Sequence, residues 1–238
     1  MVPSHQAGEF APRQHGPAEL GVIFDMDGVL FDALAQLTPA LDRALEAHGI
    51  RMDQFDTRYD FRGRPLNAIT VAAREQFGVA IEDETFSQAV GMGAIGLMVE
   101  QKVVADTGLV TLLDDLRNEG VPTAVGSSSP RWRIQKILAV LGIDSYFDAY
   151  VGTEDVPEHK PNPHVFLEAA QRIGIAADHC VVIEDAVAGV TAAKRANMKA
   201  VGFLKYNDDK ASLAAADLLV EDYSELSVVR LRQLLTAS

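Results

Sequence analysis

The sequence predicts an α/β fold, a parallel sheet interrupted once by an all-helical insertion, and three observations predict it. Short apolar runs recur at Val22-Ile23-Phe24, Val121-Pro122-Thr123-Ala124-Val125 and Cys180-Val181-Val182-Ile183. Runs of this kind are typical of strands buried on both faces, between helices. Each ends abruptly in polar residues, and ligands in such sheets bind beyond the carboxyl ends of the strands. From Ala33 to Thr107 no strand pattern intervenes, only helical periodicity.

Taken in order, residues 1–20 are rich in Pro, Gly, His and Gln and read as a disordered tail. The core is expected over 21–32 and 106–238, and the helical insertion over 33–105, with helices at Pro39 to His48, Pro65 to Phe77 and Glu82 to about Val104. Alternation of strand and helix resumes near Leu109. A helical run is expected from Val190 to Met198, strands near Ala200 to Phe203 and Leu218 to Val220, and a last helix from about Ser224 to Leu235. Gly91-Met92-Gly93-Ala94-Ile95-Gly96 fits G-x-G-x-x-G, but the dinucleotide fingerprint requires a preceding strand, and this one falls among helices. A flexible or closely packed helical segment is expected there.

Four strand-to-helix junctions carry chemistry. Asp25 and Asp27 close the first apolar run, with Gly28 to turn the chain; the same pattern also suits a strand followed by an acidic turn. Ser127 and Ser128 precede a helix start for which Ser129 is the expected N-cap and Pro130 the first residue, a place where anions are stabilised by free amides. Plain capping serines would look the same. Lys160 lies in His159-Lys160-Pro161-Asn162-Pro163-His164, fixed by two prolines before a helix that Asn162 is expected to cap. Such a lysine is either solvated surface or a partner for phosphate or carboxylate. Glu184 and Asp185 end the third run and can be read as helix N-terminal charges, though the repetition of polar tips at one sheet edge weakens that account.

The ordered set Asp25-Met26-Asp27-Gly28, Ser127, Lys160-Pro161 and Glu184-Asp185 resembles the four motifs of the haloacid dehalogenase-like phosphotransferase superfamily. Within it, the resemblance is to the branch of small sugar-phosphate phosphatases and beta-phosphoglucomutase, from about Gly21 to about Leu219. It implies a Rossmann-like core with a helical cap domain. It also implies that Asp25 attacks phosphorus to form an aspartyl-phosphate, that Asp27 serves as acid and then base, and that Ser127 and Lys160 neutralise the transferring group. Mg²⁺ is implied on the Asp25 side chain, the Asp27 carbonyl and the Glu184-Asp185 pair. Close carboxylates repel by about 4 kcal/mol per pair at an effective dielectric near 20. An all-oxygen donor set favours Mg²⁺ over zinc. Arg62-Gly63-Arg64 resembles the substrate-recognition loop of the cap and would bind substrate together with Ser127, Ser128 and Lys160; two solvated arginines before a helix are the other reading. Trp132 and His164 are expected to serve packing and helix-end contacts. His164 stands where the family usually has an acid, and Ala186 replaces a common Ser. More consequentially, Ala33 and Leu37 stand where related mutases and many phosphatases carry a Ser or Thr and a His; in beta-phosphoglucomutase those groups help hold the counterpart of Asp27 away from premature hydrolysis, so the resemblance implies that their loss favours a hydrolase.

Composition agrees. The chain has 238 residues, 48% hydrophobic and 23% charged, enough for a real core. A net charge of −13 argues against nucleic acid as a partner. Its single cysteine, Cys180, excludes an internal disulfide and is expected to be a small core residue. No apolar run reaches membrane-spanning length and no apolar signal core opens the chain, so a cytoplasmic protein, a monomer or small homo-oligomer, is expected. The expected function is a Mg²⁺-dependent phosphatase for a small phosphorylated metabolite, a sugar or polyol phosphate. A sugar phosphomutase is the alternative, and a non-catalytic binding module on the same fold is the alternative of another class.

Overall fold

The computed structural model describes residues 20–56, 66–206 and 210–237. Two compact units divide the chain, one formed by Ala33–Val103 and the other by the segments before and after it.

The second unit is built on a six-stranded sheet in which every pairing is parallel. In chain order its strands are β1 (Gly21–Phe24), β2 (Thr123–Gly126), β3 (Ala149–Val151), β4 (Cys180–Glu184), β5 (Lys199–Phe203) and β6 (Leu218–Val220). Their order across the sheet is β3-β2-β1-β4-β5-β6. Neighbouring connections therefore run in opposite directions on either side of β1 and β4, and the crevice beyond that reversal is where such sheets bind ligands. Both central strands are wholly buried, as their unbroken apolar runs predict. Ile23, Val182, Val165 and Phe166 lie in one core cluster that also encloses Cys180. The α/β fold is thus as the sequence predicts.

The helices of this unit are α4 (Thr107–Asn118), α5 (Arg131–Leu141), α6 (His164–Ile173), α7 (Val187–Arg195) and α8 (Val228–Thr236), and several begin where the sequence does not place them. Ser129 does not cap α5: Pro130 occupies the cap position, and the Ser129 hydroxyl is engaged by the side chains of Asp27 and Arg133. Nor does Asn162 cap α6, because Pro163 holds that place without a side-chain bond. Helix α7 starts a turn before Val190 and is over by Asn197, whose φ of 61° is a left-handed conformation that Asn tolerates. The expected last helix is split. A 3₁₀ turn covers Tyr223–Glu225, and α8 begins afresh after Ser227, whose Oγ accepts from Arg230 N. Strand β3 is an element the sequence reading does not contain.

The helical unit comprises α1 (Ala33–Glu46), α2 (Asn67–Phe77) and α3 (Asp83–Glu100). Helix α1 starts well before Pro39 and runs through it, since Ala33, Gln36, Ala40, Leu41 and Leu45 form one buried face whose packing outweighs the missing N–H. Helix α3 opens on Glu82, whose carboxylate accepts from Glu84 N and Thr85 N, and stops at Glu100 rather than near Val104. Its Gly91 to Gly96 segment is continuous helix. A Cβ at Gly93 would lie 3.3 Å from that of Ala40 in α1, so the glycine permits close helix packing and the dinucleotide fingerprint is absent. The unit has its own core, with Leu45, Ile69, Phe86 and Val90 fully or almost fully buried.

Candidate active site

Register brings the acids together. Phe24 of β1 lies opposite Ile183 of β4, and Asp25 N donates to Ile183 O at 2.9 Å. Asp25 and Glu184 therefore stand side by side at the carboxyl edge. Lys160 enters from the loop between β3 and α6, and its Nζ donates to Asp25 Oδ1 at 2.5 Å and to Glu184 Oε1 at 2.8 Å. All three side chains are less than a tenth exposed. The same ammonium lies 4.6 Å from the Phe166 ring centroid. Glu184 is held further by Ala186 N, which donates to its other oxygen at 2.6 Å. Its side chain crosses Gly189, where an added Cβ would fall 1.7 Å from Oε1, so only glycine fits beneath it.

Asp185 completes the group. Ligand oxygens of Asp25, Glu184 and Asp185 all lie within 4.8 Å of one another. At Gly28, φ is +79° and a Cβ would lie 2.0 Å from Asp185 Oδ2, so the turn after Asp27 depends on glycine twice over. Burial, with repulsion from Glu184 and Asp185, pushes the Asp25 carboxyl well above the ordinary range despite Lys160. Burial and Glu184 push Asp185 up to about 7. Lys160 is raised, the two carboxylates outweighing its desolvation. If all three carboxylates ionise, the ammonium beside them leaves two negative charges, all on oxygen donors. That set fits a hard divalent cation, and the cluster can hold one.

Asp27 faces a different partner. Arg133, from the first turn of α5, donates from Nη1 to Asp27 Oδ2 at 2.5 Å and from Nη2 to Oδ1 at 2.7 Å, a two-pronged grip. Ser129 Oγ donates to the same Oδ2 at 3.2 Å and receives Arg133 Nη1 at 2.5 Å. The sequence reading contains neither Arg133 nor this use of Ser129. A signal for Arg133 exists, because Arg133, Ile134, Ile137, Leu138 and Leu141 share the buried face of α5, and a charge there demands a partner.

Of the other expected site residues, Ser127 is buried, with its Oγ accepting from Ser129 N at 3.1 Å and its N donating to Val151 O at 3.0 Å. Ser128 is exposed at the same strand tip. Arg62, Gly63 and Arg64 lie outside the described residues. His164 is the first residue of α6, with Nδ1 3.5 Å from Glu158, and Trp132 is half-buried on α5.

A doubly wound sheet whose switch point gathers a buried lysine, three acids and a separately held fourth places a charged cluster at the edge where α/β proteins bind ligands. Residues 22–203 match the haloacid dehalogenase-like hydrolases, and the chain belongs to that family. It is 31% identical over 204 residues to a validoxylamine A 7'-phosphate phosphatase of Streptomyces hygroscopicus subsp. limoneus, covering 86% of this chain and 94% of that one. It is 32% identical over 181 residues to fructose-1-phosphate phosphatase YqaB of Escherichia coli, covering 76% and 94%. Among solved structures it is similar to a putative beta-phosphoglucomutase from Thermotoga maritima, with a TM-score of 0.71, 27% identity and coverage of 91% and 97%. Among the described residues, no helix is long and apolar enough to cross a membrane.

Proposed function

We propose that this hydrolase is a Mg²⁺-dependent phosphatase that cleaves a small phosphate monoester, a sugar or polyol phosphate, through an aspartyl-phosphate on Asp25. The observation that carries the reading is the segregation of the acids: Asp25 shares Lys160 and the Glu184-Asp185 cluster, while Asp27 is held apart by its own cation. The two roles of such a reaction need two carboxylates in different settings. The substrates named for the two phosphatase relatives, a fructose phosphate and a validoxylamine phosphate, support the ester class.

When bound, Mg²⁺ supplies the positive charge that lets an anionic ester approach an anionic carboxylate. The Asp25 side chain, the Asp27 carbonyl, Glu184 and Asp185 would hold it. In the first step an Asp25 oxygen bonds to phosphorus as the ester P–O bond breaks, with Asp27 protonating the leaving oxygen. In the second, water attacks the same phosphorus, the bond to Asp25 breaks, and Asp27 takes the water proton. Lys160 and Ser127 stabilise the phosphoryl oxygens and orient Asp25.

The test is a panel of phosphate monoesters with purified protein, with and without Mg²⁺. Stoichiometric phosphate release from sugar or polyol phosphates is expected; its absence from every ester would overturn the proposal. The mutase reading draws on the likeness to the putative beta-phosphoglucomutase and differs in product rather than in the first step.

A further inference from the structure

We infer that Arg133 is a positioning residue for Asp27, serving the second half-reaction, in which water attacks the aspartyl-phosphate. The inference rests on the phosphatase reading above.

Arg133 is 7% exposed and sits on a helix face otherwise built of Ile and Leu. Placing a guanidinium there carries a desolvation cost that an aliphatic side chain would avoid, so the pair is a poor stability device and needs another reason. Its partner supplies one. Both Asp27 oxygens are gripped, and Ser129 locks the guanidinium and Oδ2 into one triangle. Oδ2 receives two donors, whereas Oδ1 receives only Arg133 Nη2 among the described contacts, and the Asp27 side chain is still 31% exposed. The arrangement fixes the plane of the carboxylate and leaves Oδ1 with capacity to accept a proton from water. Lys160 is committed to Asp25 and Glu184, so among the described residues Arg133 alone supports this acid from a cationic side chain.

In the step concerned, the water oxygen bonds to phosphorus, the Asp25–phosphorus bond breaks, and the water proton moves to Asp27. An unsupported carboxylate rotates, and base catalysis that depends on orientation is lost. Departure of a p-nitrophenolate, by contrast, needs no proton.

Para-nitrophenyl phosphate with Mg²⁺ therefore isolates the effect, because kcat/KM reports the first step and kcat the slower second one. The variant is Arg133→Met, which suits the apolar face. Expected are a folded protein, kcat lowered about 30-fold, KM lowered to match, kcat/KM within about threefold of wild type, and a burst of p-nitrophenolate approaching one equivalent per enzyme. Arg133→Lys keeps the charge without the double grip and should show a smaller burst and an intermediate kcat; it carries the test should the methionine variant fail to fold. Unchanged kcat, or kcat and kcat/KM falling together with no burst, would overturn the inference while leaving the phosphatase reading intact. A wild type inert toward every phosphate ester would overturn both.

Discussion

Lys160 places its ammonium 2.5 Å from Asp25 Oδ1 with only 6% of its side chain exposed, so the proposed nucleophile rests against a cation that water scarcely reaches. Removing one partner of a buried pair strands the other. Lys160→Met should lower stability by about 3 kcal/mol at pH 7, together with a loss of turnover. The deficit should shrink in acid: burial already raises the Asp25 carboxyl, and without Lys160 it binds a proton still more readily in the folded than in the unfolded chain, so the variant gains relative stability as pH falls. Urea unfolding at pH 7 and pH 5 checks both statements.

Asp25→Asn keeps size and removes the attacking charge. Phosphate release should fall by about a thousandfold or more with the circular dichroism spectrum unchanged. Retention of a tenth of wild-type rate would remove Asp25 as nucleophile.

Chelation should abolish activity and Mg²⁺ restore it, while Ca²⁺, with longer and more numerous bonds, should bind but support little turnover. Asp185, pushed up to about 7 by burial and Glu184, holds a proton below that pH which the ion must displace. The Mg²⁺ concentration for half-maximal thermal stabilisation should therefore rise by up to about tenfold for each pH unit below 7, and Asp185→Asn should weaken that dependence, leaving the part due to the raised Asp25 carboxyl.

Hydrolase and mutase are separated by product. Ala33 is buried and Leu37 packs against the helical unit's own core, so neither offers a polar group to restrain a carboxylate. With beta-glucose 1-phosphate and a sugar bisphosphate primer, phosphate should appear in step with substrate loss. Conversion to glucose 6-phosphate with negligible phosphate release would establish the mutase.

Away from the site, Asp155 is held by Arg172 Nη2 at 2.7 Å and Gly152 N at 2.9 Å. Burial raises its carboxyl, but these bonds outweigh that and leave it below the usual range. A depressed folded value gives stability that is present above the unfolded value of about 3.9 and lost as pH falls through the folded one. Asp155→Asn should cost about 1–2 kcal/mol at pH 7 and progressively less below pH 4, which denaturant titrations across that range measure.

The sequence by itself determined the elements whose burial is complete. Strands β1 and β4 are read from unbroken apolar runs, the polar tips from their abrupt ends, and the glycine-rich segment of α3 from its lack of a preceding strand. The acidic cluster was equally legible, because Asp25, Glu184 and Asp185 follow directly from parallel strands ending at one edge. Tertiary structure decided what local pattern cannot encode. Strand β3 has three residues and exists through pairing with β2. Helix α1 crosses Pro39 because its buried face is packed. Ser129, a capping residue by local rules, gives its hydroxyl to Asp27 and Arg133 instead. Arg133 itself lies 106 positions from Asp27, and although a charge on an apolar stripe announces a partner, only the folded chain supplies which one. Hydrophobic periodicity is a property of neighbours in sequence, whereas the pairing of a particular cation with a particular acid is settled by which strand ends meet.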